Sequence, residues 1–358
     1  MHPFEELLLM NVEKYPKMQP CDALKLAYQA EFGNSHYVGS AESSLEEITR
    51  ELADTEENEN TLFFEPLGKK YGRLNFASPM TRKLDPVIIN RMFCDHTVAS
   101  ESAMFEFESK MDRILTLAHH EQLPFTFEEC SEFFDYYRKR HMGEPVRHSN
   151  IYRASYLPAY RVVKARWEKL IPLIIKAQES ACAKGRAIIV LEGMSASGKT
   201  TAARLLSGLL DAPVIHTDHF FLPDVLRTEA RLSEYGGNFH YERFKIEVVD
   251  KLYSLEDGEE FTYRIYDCSE KKYSESKKIK ASKYMIIEGS YSMHPYLGDY
   301  AGAKLFMKVT PEAQSRRILR RNGPIMHRRF VSEWIPMENA YAKHFGIEDA
   351  CDYSIDSL

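Results

Sequence analysis

Residues 193 to 200 read Gly193-Met194-Ser195-Ala196-Ser197-Gly198-Lys199-Thr200, a full match to G-x-x-x-x-G-K-[ST]. An apolar run, Ala187-Ile188-Ile189-Val190-Leu191, precedes them, and a helix-forming run, Thr201-Ala202-Ala203-Arg204-Leu205-Leu206, follows. Strand, glycine loop and helix in that order make a phosphate-binding loop. Glycines let successive backbone N–H groups turn inward around an anion, and the helix N-terminus adds a favourable field. The candidate phosphate contacts are therefore Gly193, Ser195, Ala196, Ser197, Gly198, Lys199, Thr200 and Thr201. Lys199 reaches the outer phosphates, and the Thr200 hydroxyl can ligate Mg²⁺. The alternative is a chance match in a Gly/Ser turn, which the flanks argue against.

At 358 residues, the chain is long enough for two domains, and 44% hydrophobic residues allow a sizeable core. A net charge of -6 argues against a protein built to coat nucleic acid or an anionic membrane. It leaves room for a local basic patch. Met1-His2-Pro3-Phe4-Glu5-Glu6 lacks a basic leader, Leu7-Leu8-Leu9-Met10 is too short for a signal core, and no apolar stretch approaches a membrane span. The six cysteines (Cys21, Cys94, Cys130, Cys182, Cys268, Cys351) form no C-x-x-C, so neither a zinc site nor a disulfide framework is expected. A reducing cytoplasm is the expected location.

Residues 1–184 read as a mostly α-helical domain. Helices are expected over Phe4–Tyr15, Pro20–Phe32, Ser44–Ala53, Val98–Ala118 and Phe127–Arg140, with a polar loop at Asp54–Asn60. Leu157–Lys184 reads as a helix entered through Pro158, interrupted near Pro172 and closed by Gly185, where the domain boundary is set. From 185 to 358 short apolar runs alternate with helical segments: Ala187–Leu191, Pro213–His216, Tyr284–Ile287 and Lys304–Val309. That alternation predicts a parallel sheet flanked by helices. Phe261–Tyr266 adds a strand in an insertion, and Pro311–Arg321 and Arg328–Phe345 read as helices.

Two carboxylates follow predicted strands. Asp218 lies just after Val214-Ile215-His216, where the carboxyl ends of parallel strands face a ligand crevice. A carboxylate there can accept a proton from a hydroxyl as phosphoryl transfer proceeds. A helix cap or a surface acid is the competing reading. Glu288 ends the apolar strand Tyr284-Met285-Ile286-Ile287 and suits a magnesium-associated acid. A plain turn acid is its alternative.

The order of further segments resembles the uridine kinase/phosphoribulokinase family of P-loop kinases. After the loop come Asp218-His219-Phe220-Phe221, Gly236-Gly237-Asn238-Phe239, Tyr263-Arg264-Ile265-Tyr266-Asp267, Ile287-Glu288-Gly289 and Arg316-Arg317-Ile318-Leu319-Arg320-Arg321. The resemblance covers about residues 186–358. It implies an α/β P-loop kinase domain that uses ATP and Mg²⁺. It assigns Asp218 to activating the acceptor hydroxyl, and Glu288 with Thr200 to the metal. Phe220, Asn238, His240, Tyr266 and Asp267 fall on the acceptor side. Arg316, Arg317, Arg320 and Arg321 match a lid over the transferring phosphates. Arg317 and Arg320 are assigned to catalysis with Lys199 and Asp218. Arginine suits that work because its planar fork binds phosphate oxygens in pairs. A solvated helix face is the alternative for some of the four.

The chain departs from the family pattern in two places. His240 stands where an aspartate binds ribose hydroxyls. Cys268-Ser269-Glu270 follow the Tyr-Asp pair in place of a Phe and a nearby His. Both changes fall on acceptor recognition. The resemblance implies a nucleoside such as uridine as the first acceptor, with another sugar-like or vitamin-like alcohol close behind; the two departures leave the kinase chemistry better supported than the uridine specificity. Trp334 is expected in the core, with stacking over an adenine as the alternative.

Residues 1–184 match no catalytic pattern. The stretch Tyr136–Arg153 interleaves bases with aromatics, which can bind single-stranded nucleic acid or simply end a helix; the structural reading is preferred. His119-His120 are adjacent, so they cannot share a helix face as metal ligands do at i and i+4. His36, in Asn34-Ser35-His36-Tyr37, reads as a structural turn residue. A second functional reading stays open: a nucleotide-operated switch whose helical half binds a protein or RNA partner. The sequence is also compatible with an oligomer.

Overall fold

The computed structural model describes residues 1–33, 40–95, 100–268 and 270–358. Asn34-Ser35-His36-Tyr37 and Ser269 lie outside them. The chain forms two compact units, Met1–Glu168 and Lys169–Leu358.

In the first unit α1 (Pro3–Lys14), α2 (Pro20–Phe32) and α3 (Ala41–Asp54) precede β1 (Phe64–Pro66) and β2 (Tyr71–Asn75). Then come α4 (Pro79–Arg82), α5 (Pro86–Cys94), α6 (Glu101–His119), α7 (Phe127–Arg140), α8 (Asn150–Tyr156) and β3 (Tyr160–Lys164). Local signals set several ends. Thr126 and Glu129 form a reciprocal capping box that starts α7, and Pro20 sits in the first turn of α2. His119 ends α6 and His120 caps it, both exposed.

The antiparallel sheet β1-β2-β3 has no counterpart in the sequence expectation. Its central pairing joins Asn75 to Tyr160, far apart along the chain. It also buries charge, which hides the alternation of a half-buried strand. Arg73, 2% exposed, donates to Gln29 Oε1 at 3.0 and 3.2 Å, Asn11 Oδ1 at 3.2 Å and Glu65 Oε1 at 3.3 Å. His148 bridges Asp22 (2.8 Å) and the Tyr160 hydroxyl (2.7 Å), and burial holds its imidazole down at about 4. Removing one member of such a network leaves its partners buried without a counter-charge. Arg73→Ala is expected to cost about 3–5 kcal/mol, read as a lower urea midpoint for the full chain.

The expected helix over 157–184 is corrected. Leu157 takes φ +42 and ends α8, and Tyr160-Arg161-Val162-Val163 forms most of β3. Pro172 does not interrupt a helix. It sits in the first turn of α9 (Ile171–Lys184), where its missing N–H costs nothing. The helix that the sequence reading gave to the first half thus packs within the second unit, whose first residue precedes Gly185.

After α9 the second unit runs β4 (Ala187–Gly193), α10 (Lys199–Leu210), β5 (Val214–His216), α11 (Glu229–Leu232) and α12 (Tyr241–Glu247). There follow β6 (Glu260–Asp267), β7 (Lys272–Lys280), β8 (Tyr284–Glu288), β9 (Ala303–Lys308), α13 (Pro311–Arg329), α14 (Ile335–His344) and β10 (Tyr353–Asp356). Five strands make one parallel sheet in the order β10-β9-β4-β8-β5. Helices flank it, and β6 and β7 form a separate antiparallel hairpin between β5 and β8 in sequence. All seven residues of β4 are buried, as a strand covered on both faces requires. Among the described residues no helix is long and apolar enough to cross a membrane.

Candidate functional site

Parallel pairing gathers three segments at one edge of the sheet. Leu191 of β4 pairs with Glu288 of β8, and Glu288 pairs with His216 of β5. Neighbouring strands lie about 4.8 Å apart, so the ends of β4 and β5 stand roughly 10 Å apart with Glu288 between them. The loop from Gly193, the carboxylate of Glu288 and the turn Thr217–Phe220 carrying Asp218 therefore open on the same side.

The loop is a cradle built by backbone conformation. Gly193 (φ +133), Ala196 (φ +58) and Gly198 (φ +106) all take left-handed values. A Cβ on Gly193 would lie 2.3 Å from the Met307 carbonyl oxygen, so the close approach of β9 demands glycine. Lys199 is mostly buried and donates to the loop's own carbonyls, Gly193 O at 2.7 Å and Met194 O at 3.0 Å. Ser197 Oγ is fully buried with no hydrogen bond. Thr200 and Thr201 begin α10 on its exposed side.

Thr200 Oγ1 donates to Glu288 Oε1 at 3.2 Å, and His216 Nδ1 meets the same oxygen at 2.5 Å. Burial pushes the Glu288 carboxyl up, but His216, Lys199 and Thr200 together bring it below its ordinary value. Asp218 is exposed and makes no hydrogen bond among the described residues. Its carboxyl is held above the usual range, first by the surrounding protein and then by the negative charge of Glu288. Lys199, His216 and Arg321 oppose that shift.

The arginine-rich segment lies in α13, which breaks at Gly323 (φ 75, ψ 174) ahead of Pro324. Arg317 donates to the Ala196 carbonyl at 3.0 Å and to Ser357 Oγ at 3.0 Å, while Gln314 one turn earlier donates to Ser195 O at 2.9 Å. This pair braces the back of the loop. Arg320 is exposed and hydrogen-bonds nothing among the described residues. Trp334 is only half-buried rather than in the core, edge-on to Phe330 at the end of a π-helical turn over Phe330–Trp334.

The residues expected on the acceptor side divide. Phe220 is fully buried between Phe244 and Tyr263 and packs the turn that carries Asp218. Asn238 is buried facing the Tyr291 hydroxyl, yet neither Asn238 Oδ1 nor that hydroxyl makes a well-formed hydrogen bond. His240 caps α12 and lies 3.2 Å from Glu242. Tyr266 is buried against Tyr273, and Asp267 accepts from the Glu270 amide at 3.1 Å at the end of the hairpin. Burial raises the Cys268 thiol at this end of the hairpin, and the negative charges of Asp218, Asp267 and Asp224 add to the shift.

Two carboxylates beside the loop were missed by sequence reasoning. Glu192 is buried and accepts from Ser292 Oγ at 3.1 Å, the Met293 amide at 3.2 Å and the Tyr341 hydroxyl at 3.4 Å; burial pushes it up to about 7. Glu338, on α14, accepts from the Ser195 amide at 3.1 Å and from Ser195 Oγ at 2.7 Å. Glu192 could have been noted as a charge inside an apolar strand. For Glu338 no local signal exists, since 143 positions separate it from Ser195.

No family model matches the chain, and no curated protein matches it. Among solved structures, a possible uridine kinase from Bacillus stearothermophilus is 19% identical, with 48% of this chain and 89% of that one covered and a TM-score of 0.37. A candidate fructose transport system kinase from Silicibacter sp. TM1040 is 19% identical over 48% of this chain and 89% of its own, with a TM-score of 0.38. Shikimate kinase from Bacteroides thetaiotaomicron is 17% identical over 48% and 86%, with a TM-score of 0.25. At these scores the likeness carries no argument about activity, which rests on the geometry of the crevice.

Proposed function

We propose that the second unit transfers the terminal phosphoryl group of ATP, assisted by Mg²⁺, to a hydroxyl of a small molecule. The observation that carries this is Asp218: a carboxylate without a hydrogen bond, raised in pKa, on the same sheet edge as a complete phosphate loop. A nucleotide's phosphates fit the loop. Its Ser195 amide already holds a carboxyl oxygen, that of Glu338, and Ser197 Oγ is a buried hydroxyl awaiting a partner. Thr200 and Glu288 fit Mg²⁺, which typically takes one or two protein oxygens and completes its shell with phosphate and water. Among the described residues no group of three or more His, Cys, Asp or Glu gathers as a metal cage. When bound, Mg²⁺ would neutralise charge building on the phosphate oxygens.

The chain's own residues would then divide the work. Loop amides and Lys199 hold the β- and γ-phosphates once Lys199 releases the loop carbonyls. Asp218 takes the proton of the acceptor hydroxyl as its oxygen bonds to the γ-phosphorus and the bond to ADP breaks. Arg317 keeps the loop in shape through the Ala196 carbonyl, and Arg320 and Arg321 are the lid cations able to meet the transferring group. A nucleoside is the first candidate acceptor, by the resemblance noted above. A sugar-like alcohol is the second, because His240 is taken up by capping α12 and pairing with Glu242. Incubation with ATP, Mg²⁺ and a panel of nucleosides and sugars, read by mass spectrometry, should find one acceptor heavier by one phosphate. Slow ATP loss that no acceptor changes but RNA or a protein partner raises would favour the switch instead.

A further inference from the structure

Glu338 belongs to neither the phosphate loop nor the acceptor-side residues, yet it holds one of the loop's key donors. An amide N–H has one hydrogen to give. While the Ser195 amide is bonded to Glu338, it is lost to a phosphate oxygen. The Ser195 hydroxyl is bonded to the same carboxylate at 2.7 Å. Burial is the largest influence on the Glu338 carboxyl and holds it above its ordinary value, with Lys199, Ser195 and Ser290 pulling the other way, and its two oxygens occupy donors that a phosphate would need. Lys199 is turned onto Gly193 O and Met194 O at the same time. The free loop is thus satisfied by the protein's own groups at both ends.

We propose that Glu338 is an internal competitor for the nucleotide's phosphates, and that α14 must shift for ATP to seat. This rests on the nucleotide-binding reading above. A triphosphate oxygen and the Glu338 carboxyl cannot share the Ser195 amide, and in its ionised form Glu338 would also repel the phosphates across a site shielded from water. The fold supplies a way out. The helical chain bearing Glu338 is broken at Gly323 and wound wide over Phe330–Trp334, two places where it can bend. Tyr341, one turn beyond Glu338 on the same face, touches Glu192 at the foot of the loop. Displacement of Glu338 therefore pulls on the segment that also carries the arginines, and it links phosphate entry to lid position.

The test is calorimetric titration of the full chain with MgADP and MgATP. Glu338→Gln keeps the shape and removes the charge, and Glu338→Asp keeps the charge but retreats by one methylene. Both variants should bind nucleotide more tightly than wild type, Glu338→Gln by about tenfold, the worth of one charge-assisted hydrogen bond. The rise in melting temperature at saturating MgADP should also be larger in Glu338→Gln. Unchanged or weaker nucleotide binding by Glu338→Gln overturns the proposal. So does a raised acceptor KM with unchanged nucleotide affinity, which would make Glu338 an acceptor contact. Equal nucleotide binding by wild type and Lys199→Ala points elsewhere: it defeats the phosphate-site reading itself and takes the competitor role with it.

Discussion

Lys199→Ala is expected to abolish phosphoryl transfer and to weaken ATP binding. Lys199 is a cation buried at the base of the loop, and its charge acts on Glu288, Glu338 and Asp218 together. In a partly dry crevice such a charge stabilises the transition state more than the ground state, so its loss should lower turnover by about 10²–10³-fold or more. The substitution also removes two hydrogen bonds to loop carbonyls, so loop shape must be checked separately. A melting temperature close to wild type with turnover lost is the expected pair of results. Near-normal turnover would refute the assignment.

Asp218→Asn is expected to leave ATP affinity nearly unchanged and to lower turnover by about 10²–10⁴-fold, the usual worth of a positioned base. The amide keeps the shape of the side chain but accepts no proton. The pH dependence gives a second reading of the same group. A general base works only when ionised, so the rate falls as pH drops through its pKa. Because the protein around Asp218 and the charge of Glu288 raise that pKa, the acidic limb should lie above the ordinary aspartate value of about 3.9. In Asp218→Asn that limb should vanish from whatever activity remains. A limb that persists unchanged would assign it to another group.

The loop and its flanking elements could be read from the sequence because their cause is local. Glycine positions, an apolar strand and a helix start lie within a few residues of one another. Pro20–Phe32 and Phe127–Arg140 were legible for the same reason, their ends being set by proline and capping residues. The three-stranded sheet was not, since β2 and β3 pair across half of their unit and hide Arg73 and Arg161 in the interior. Leu157–Lys184 misled because its apolar residues suit a helix, while β-branched Val162 and Val163 and the left-handed Leu157 decided otherwise. At the site, Asp218 and Glu288 were visible as acids at strand ends. Glu338 was not, because its partner is reached only through the return of α14 onto the loop.

The most direct measurement follows ATP and a responsive acceptor together by mass spectrometry, in wild type and in Asp218→Asn. The account predicts one mole of phosphorylated acceptor for each mole of ADP in wild type, and neither product at comparable rate in the variant. ADP released with inorganic phosphate alone, at the same rate in both proteins, would contradict it.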